Sequence, residues 1–179
     1  MSCDEHPAAE NIRYLKKGIE LIRTLPDRVW TGPDGESRTG VGAQFRHCVD
    51  FYSCFLSGLA RDAIDYNARE RDPRVEVDRD AAIERMEQLV QALAAVGPRA
   101  GDATVRVRLE PRAEGNDAGW CSSSVLRELQ FLLSHTIHHY ALIVTLLQLR
   151  GFSIDESFAD FGVAPSTLSY WKNAGSMTA

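Results

Sequence analysis

Apolar residues recur at helical spacing in four stretches of the chain. In the first stretch, Leu15, Ile19 and Ile22 lie three or four residues apart, with charged residues between them. The pattern predicts helices over about residues 8–25, 41–59, 80–96 and 122–149. Gly97 and Gly151 follow the third and fourth stretches and are typical of helix ends. Four long helices with broad apolar faces predict an all-α fold, a four-helix bundle.

The residues around the third predicted helix have other patterns. Thr104 to Leu109 alternate β-forming residues with arginine, which predicts a short strand. A return strand near Trp120 would complete a β-hairpin between helices three and four. Residues 61–80 hold five Arg, five Asp and two Glu. We interpret this charged segment as a solvated connector, with an ordered salt-bridged wall beside a site as the alternative.

The chain length suits one domain, and we expect residues 1–179 to form it. Residues 1–8 and 173–179 are expected to be frayed. The C-terminal segment that begins at Phe152 carries several aromatic residues. We expect it to pack across the bundle or against a partner subunit.

The charge of the chain limits the kinds of partner that we expect. Lys and Arg total 20 against 25 Asp and Glu, a net charge of −5, so nucleic acid is not an expected partner. No apolar run is long enough to span a membrane, and the acidic first residues are unlike a secretory signal. The four cysteines form no CxxC pair, so we expect a reducing, cytoplasmic location.

Three of the five histidines lie inside the fourth predicted helix, in one stretch of five residues. His135 and His139 are four residues apart, so their side chains share one face and can converge on one metal ion. His138 lies on the flank of that face. Buried imidazoles cost free energy unless each ring nitrogen has a partner. A metal ion would provide one, and hydrogen bonds to neighbouring helices or water are the alternative.

A further histidine lies in the middle of the second predicted helix. His47 is again surrounded by large apolar residues. Helices two and four can face each other in a bundle, so His47 can join His135 and His139. Three histidine ligands leave positions open for water or substrate, which is typical of a catalytic metal site.

These residues resemble the DinB-like superfamily, a group of metal-binding four-helix bundles that includes the YfiT-type proteins. The resemblance covers about residues 10–170, and the stretches GAQFRHCVDFY and FGVAPSTLSYW are similar to one branch of it. It implies that His47, His135 and His139 are the metal ligands. Many members continue their second motif as HHRGQ, whereas this chain has HHYALI. Activities of better-known members therefore do not transfer directly.

The resemblance implies a metal-dependent enzyme, either a hydrolase or a transferase that acts with a small thiol. A non-catalytic bundle that senses metal or binds proteins is one alternative, and a metal-free helical protein with core histidines is another. Imidazole ligands suit zinc, nickel, iron(II), cobalt and manganese. Zinc is the default choice because of its availability.

Two carboxylates are candidates for catalysis or for orienting a ligand. Glu128 lies seven residues before His135, on the same face, and Asp50 lies three residues after His47. The alternative for Glu128 is a carboxylate stabilised by the helix dipole. The alternative for Asp50 is a salt bridge with Arg46 or with an arginine of the charged segment.

Other side chains could surround such a site. Tyr14, Tyr66 and Arg69 are candidates for a pocket mouth, whereas Cys54 fits a small core residue. We expect the partner to be a small-molecule substrate, with a low-molecular-weight thiol as one candidate. The broad apolar faces also favour a homodimer.

Overall fold

Seven helices and three short strands form the part of the chain that the structure, a computed structural model, describes: residues 6–31, 40–97, 102–108 and 119–176. The helices are α1 (Ala9–Thr24), α2 (Asp27–Trp30), α3 (Val41–Leu59), α4 (Pro73–Val77), α5 (Arg79–Ala94), α6 (Val125–Leu149) and α7 (Pro165–Ser176). The strands are β1 (Ala63–Asp65), β2 (Thr104–Arg108) and β3 (Cys121–Ser124). The predicted helical fold with a small strand insertion is confirmed.

The four long helices, α1, α3, α5 and α6, share one core. Helix α1 packs against α5 and α6, and α3 packs against the same two helices. Gly18 permits the close approach of α1 and α6, because a Cβ atom there would collide with the hydroxyl of Tyr140. That hydroxyl donates a hydrogen bond to the carbonyl oxygen of Tyr14 at 3.0 Å. Helices α3 and α6, which carry the predicted metal ligands, are in direct contact.

Side-chain caps define where two of these helices begin. The Ser124 hydroxyl accepts a hydrogen bond from the Arg127 amide at 3.2 Å, so Ser124 caps α6. The Asp78 carboxylate accepts from the amides of Asp80 and Ala81 at the start of α5. Helix α3 has the bounds that the apolar pattern predicts.

The predicted hairpin is present and belongs to a three-stranded sheet. Strands β2 and β3 pair antiparallel, with Val105 opposite Ser123. Strand β1 adds to the other edge of β2 in parallel orientation. This strand lies inside the charged segment, and its short sequence Ala-Ile-Asp carries no detectable alternation. Its one fully buried side chain is Ile64.

The charged segment joins α3 to α5 and has about half of its residues exposed, in line with a solvated connector, but it also forms regular elements and ion pairs. It contains β1 and α4, and Asp72 caps α4 by accepting from the Arg74 amide at 3.0 Å. Ion pairs tie the segment to neighbouring elements: Arg46 of α3 with Glu76, and Arg108 of β2 with Asp65. These ion pairs agree with the alternative, an ordered salt-bridged wall.

The C-terminal segment packs across α1 and α6 before it reaches α7. Phe161 is buried and stacks on Tyr140 of α6, with ring centroids 4.1 Å apart. Asp160 forms an ion pair with Lys17 of α1. In contrast, Trp171 of α7 is exposed. The first half of this segment therefore covers the helices as predicted.

Some predictions fall on residues outside the described ranges. They concern the expected fraying of both ends of the chain, at residues 1–5 and 177–179, and Leu109 at the end of the first predicted strand. Among the helices that the structure describes, none has the length and apolar character needed to cross a membrane.

Candidate metal centre

The histidines on α3 and α6 meet where these helices pack. His47 lies in the second turn of α3, and His135 and His139 lie one turn apart near the middle of α6. The centroid of the His47 ring is 5.0 Å from that of the His135 ring and 4.5 Å from that of the His139 ring. One ring nitrogen from each of the three residues lies within 4.8 Å of the others. Among the described residues these three side chains therefore form the predicted cluster.

The two α6 histidines point the same type of nitrogen at each other. The Nε2 atoms of His135 and His139 are 3.2 Å apart. Two nitrogens that are each about 2.0–2.1 Å from a tetrahedral zinc ion lie roughly 3.3 Å apart. The observed separation suits two ligands of one ion without a change in the helix.

Gln44 of α3 sets the protonation of one ring. His139 Nδ1 is 2.7 Å from Gln44 Oε1. Because an amide oxygen only accepts hydrogen bonds, Nδ1 carries the proton and Nε2 presents its lone pair to the cluster. Metal-binding histidines commonly have such a partner on the nitrogen that faces away from the ion.

His135 has an apolar environment on its other side. Its ring lies 4.2 Å from the Phe51 ring and 5.7 Å from the Phe131 ring. Its Nδ1 atom is buried and has no hydrogen-bond partner among the described residues. An unpartnered buried polar atom costs about 1–3 kcal/mol. The hydrogen bonds of the described chain therefore do not account for this imidazole.

Burial keeps all three rings neutral at ordinary pH. Burial is the largest cause that lowers the pKa of His47 to about 3 and that of His135 and His139 to about 4, and neighbouring histidines contribute to these values. A neutral imidazole has a free lone pair, and this is the form that binds metal ions. The cluster is therefore ready to accept a cation near pH 7.

His138 lies outside the cluster. Its ring is exposed and meets the His139 ring edge-on at 5.3 Å. The flanking position predicted from its spacing agrees with this placement.

Glu128 takes part in a buried network next to the cluster. Its side chain is 1% exposed, and it accepts hydrogen bonds from Tyr66 at 3.0 Å, Ser123 at 2.6 Å and Arg127 at 3.2 Å. Tyr66 in turn stacks on Phe51 at 5.2 Å. None of the hydrogen bonds in the described part of the chain joins Glu128 to a histidine. The contacts therefore indicate a carboxylate that holds the aromatic wall of the site.

Asp50 forms an ion pair with Arg46, which also pairs with Glu76 of α4. Burial raises the pKa of Asp50, and the charge of Arg46 opposes this effect. The salt-bridge alternative for Asp50 is therefore present in the structure.

A cleft of about 710 Å³ opens beside α3, between the charged segment and α5. Asp50 and Cys54 line it together with Ala68 and Glu70 of the charged segment. Cys54 is nearly buried, and burial raises the pKa of its thiol to about 11. This cysteine is thus a neutral core side chain at the cleft wall, as its sequence context predicts.

Sequence reasoning missed several residues that surround the histidines. Gln44 lies three residues before His47, so its place on the same helix face was a usable signal. Phe51 and Phe131 were assigned to the core without a link to the site. Arg69 was only a candidate for the pocket mouth; its guanidinium carbon is 4.8 Å from the centre of the Phe51 ring.

Comparisons with known proteins support the resemblance identified from the histidine motifs. A family model described as the DinB superfamily matches residues 17–143, a range that includes all three clustered histidines. The chain is also similar to FK506-binding protein 5 of Rhizopus delemar, with 31% identity over 109 residues. That match covers 61% of this chain but only 28% of the relative. No solved structure matches the chain.

Proposed function

Because the chain belongs to the DinB superfamily, we propose that His47, His135 and His139 bind one divalent metal ion and that the protein is a metal-dependent enzyme. The DinB superfamily is metal-binding. The observation that carries the proposal is the convergence of three ligand atoms within 4.8 Å from two packed helices. The 3.2 Å separation of the His135 and His139 Nε2 atoms supports it, because this distance suits two ligands of one tetrahedral ion.

The donor set fits a divalent ion of the zinc, nickel, iron, cobalt or manganese type. Three neutral imidazoles leave the positive charge of the ion undiminished and leave coordination positions open. When bound, such an ion supplies Lewis acidity, which lowers the pKa of a bound water or thiol or polarises a carbonyl.

The remaining side chains of the site have roles that follow from their contacts. Gln44 holds His139 in the tautomer that presents Nε2. Phe51 and Phe131 exclude water from one side of His135, which strengthens electrostatic interactions there. Glu128 keeps Tyr66 stacked on Phe51 and so maintains that wall.

Two reaction classes suit an open three-histidine site, hydrolysis and group transfer to a small thiol, because an ion held by His47, His135 and His139 would supply the Lewis acidity that either class needs. We propose one of these and leave the substrate open. Neither Glu128 nor Asp50 is free to act as a base while it holds its present hydrogen bonds. A non-catalytic metal-binding bundle is the second candidate, since Phe51 and Phe131 on one side of His135 would also shield a structural ion.

Elemental analysis of the purified protein tests metal binding directly. The wild-type chain should carry near-stoichiometric divalent metal, and His47→Ala should lose it. His138→Ala is the matched control, because His138 lies on the same helix but outside the cluster. Wild-type protein that neither contains metal nor acquires it when offered would show the proposal to be wrong.

A screen of esters and thiol adducts separates the two candidate functions. Turnover that His47→Ala abolishes supports the enzyme. Metal binding with no turnover across the screen supports the non-catalytic bundle.

We further propose that α1, α3, α5 and α6 form the four-helix bundle of the superfamily and that the protein acts in a reducing, cytoplasmic location as a homodimer. Exposed apolar side chains at Leu149 and Trp171 support self-association. The unpaired Cys48 and Cys54 support the location. A solution mass equal to one chain at micromolar concentration would contradict the dimer.

A further inference from the structure

We propose that Arg69 binds an oxyanion group of the substrate beside the histidine cluster, so that the substrate is a small acid with a carboxylate or phosphate group. This inference rests on the proposed function, since it names the substrate class of the same site. Arg69 lies in the charged segment between β1 and α4.

The position of Arg69 links the charged segment to the candidate ligands. Its guanidinium carbon lies 4.8 Å from the centre of the Phe51 ring. The same ring lies 4.8 Å from the His47 ring and 4.2 Å from the His135 ring. The Phe51 ring is therefore in contact with the Arg69 guanidinium and with two of the three histidines.

Arg69 is unpaired among the described residues, unlike other arginines near it. Arg74 pairs with Asp72, and Arg46 pairs with both Asp50 and Glu76. No described ion pair or hydrogen bond involves Arg69, and its Nε atom is buried without a partner. Burial raises the pKa of Asp50 and the charge of Arg69 opposes this rise, but the Asp50 carboxylate forms its ion pair with Arg46. The Arg69 guanidinium therefore lacks a directly bonded counter-charge among the described residues, and its desolvation is offset only in part.

The local charge balance explains which ligand would satisfy this site. The three histidines are neutral, so they do not compensate a bound dication. A divalent ion and an unpaired arginine side by side therefore favour an anionic ligand. The planar fork of arginine matches carboxylate and phosphate oxygens.

The neighbouring cleft provides space for the rest of such a molecule. Ala68 and Glu70, on either side of Arg69 in the chain, both line the cleft of about 710 Å³. An acid that reaches the ion with one end and Arg69 with the other would extend toward this cleft.

The test uses cobalt(II)-loaded protein and two matched thiols, 3-mercaptopropionate and 3-mercapto-1-propanol. Binding of either thiolate to cobalt gives a charge-transfer absorption, and its titration yields a dissociation constant. We expect Arg69→Gln to weaken 3-mercaptopropionate roughly 10-fold or more and to leave the neutral thiol unchanged. Arg69→Lys should give an intermediate loss, because it keeps the charge but not the fork.

Arg28→Gln is the control, because Arg28 is an exposed arginine of α2 that does not line the cleft. It should leave both dissociation constants unchanged. An equal loss of both thiols in Arg69→Gln would indicate that Arg69 only supports Phe51, and no loss of either would also overturn the inference.

Competition with acetate and inorganic phosphate distinguishes the two oxyanion classes. Displacement of 3-mercaptopropionate by one of them supports the site and identifies its class, whereas displacement by neither contradicts the inference.

Failure of the metal proposal is visible in the first step, because cobalt would then not bind. In that case, calorimetric titration of 3-mercaptopropionate into the metal-free protein decides the inference. Heat of binding that Arg69→Gln removes supports it, and identical titrations of wild type and variant refute it.

Discussion

Two polar clusters lie side by side between α3 and α6, and they differ in how their polar atoms are satisfied. In the first, Asn11 donates hydrogen bonds to the Tyr52 hydroxyl at 3.0 Å and to the Leu129 carbonyl at 2.9 Å. Thr136 lies 3.2 Å from the same hydroxyl. We call Asn11, Tyr52 and Thr136 the polar pin. The second is the cluster of His47, His135 and His139.

Both clusters draw on α3 and α6, because Tyr52 lies five residues after His47 and Thr136 directly follows His135, while Asn11 of the polar pin lies on α1. The members of the polar pin have partners within the protein, and their side chains are almost fully buried. The histidine cluster points two Nε2 atoms at each other and leaves His135 Nδ1 without a partner. A polar cluster whose members hydrogen-bond within the protein links its helices. A cluster whose ring nitrogens face one another instead needs a bound atom between them.

The largest effect that sharpens this comparison concerns metal-linked stability. Metal at about 1,000 times its dissociation constant should raise the free energy of unfolding of the wild type by about 4.1 kcal/mol. His135→Ala should abolish this gain, because it removes one of three ligands. Chemical denaturation with and without zinc measures both values.

His138→Ala serves as the control for that experiment and should retain the full gain. A loss in His138→Ala as large as that in His135→Ala would contradict the assignment of ligands.

The polar pin should respond in the opposite way. Asn11→Ala should lower the free energy of unfolding by about 1–3 kcal/mol, because it leaves the Leu129 carbonyl and the Tyr52 hydroxyl short of a donor. Metal affinity should stay unchanged. Urea denaturation, together with a metal titration of the same sample, measures the two quantities.

Glu20→Ala, at an exposed position of α1, is the control and should change stability by less than about 0.5 kcal/mol. If Asn11→Ala weakened metal binding as much as it weakened folding, the two clusters would not be independent.

Gln44 tests the support of the histidine cluster. Gln44→Ala should weaken metal affinity about 10–100-fold, because His139 loses the acceptor that fixes its tautomer. Gln44→Glu keeps an acceptor oxygen and should retain most of the affinity. Competition with a coloured chelator provides the dissociation constants.

An exposed glutamine of α5 offers the matching control, since Gln88→Ala should have no effect on the chelator competition. Equal affinities in wild type and Gln44→Ala would mean that the 2.7 Å contact does not orient a ligand.

The pH provides a further test, because the folded protein keeps the three half-buried rings neutral. Burial holds the pKa of His47 near 3 and that of His135 and His139 near 4, below the usual value of about 6.5. The unfolded chain therefore binds protons first as the pH falls. The contribution of these histidines to the free energy of unfolding of the metal-free protein should be fully present above about pH 6.5 and should decline toward pH 4.

Thermal unfolding of the metal-free wild type and of His135→Ala across this range measures the difference. The variant should show the shallower decline, because it has one fewer low-pKa histidine. Parallel curves would indicate that the decline comes from other groups.

The sequence by itself determined the long helices and the type of site. The 3.6-residue periodicity reports which face of a helix is buried, so it predicted α3 at its observed bounds. The four-residue spacing of His135 and His139 dictates a common face wherever their helix packs. The DinB resemblance then linked these two residues to His47, and the family match confirms that resemblance.

Tertiary structure alone decided which polar groups are left without partners. The pairing of β1 with β2, and the order of the charged segment that carries Arg69, depend on contacts between residues more than forty positions apart. Local patterns contain no information on such contacts. The same holds for Gln44 and His139, which lie 95 residues apart in sequence and 2.7 Å apart in space. Helical periodicity is a local property, whereas the satisfaction of a buried nitrogen is decided by whatever the fold brings beside it.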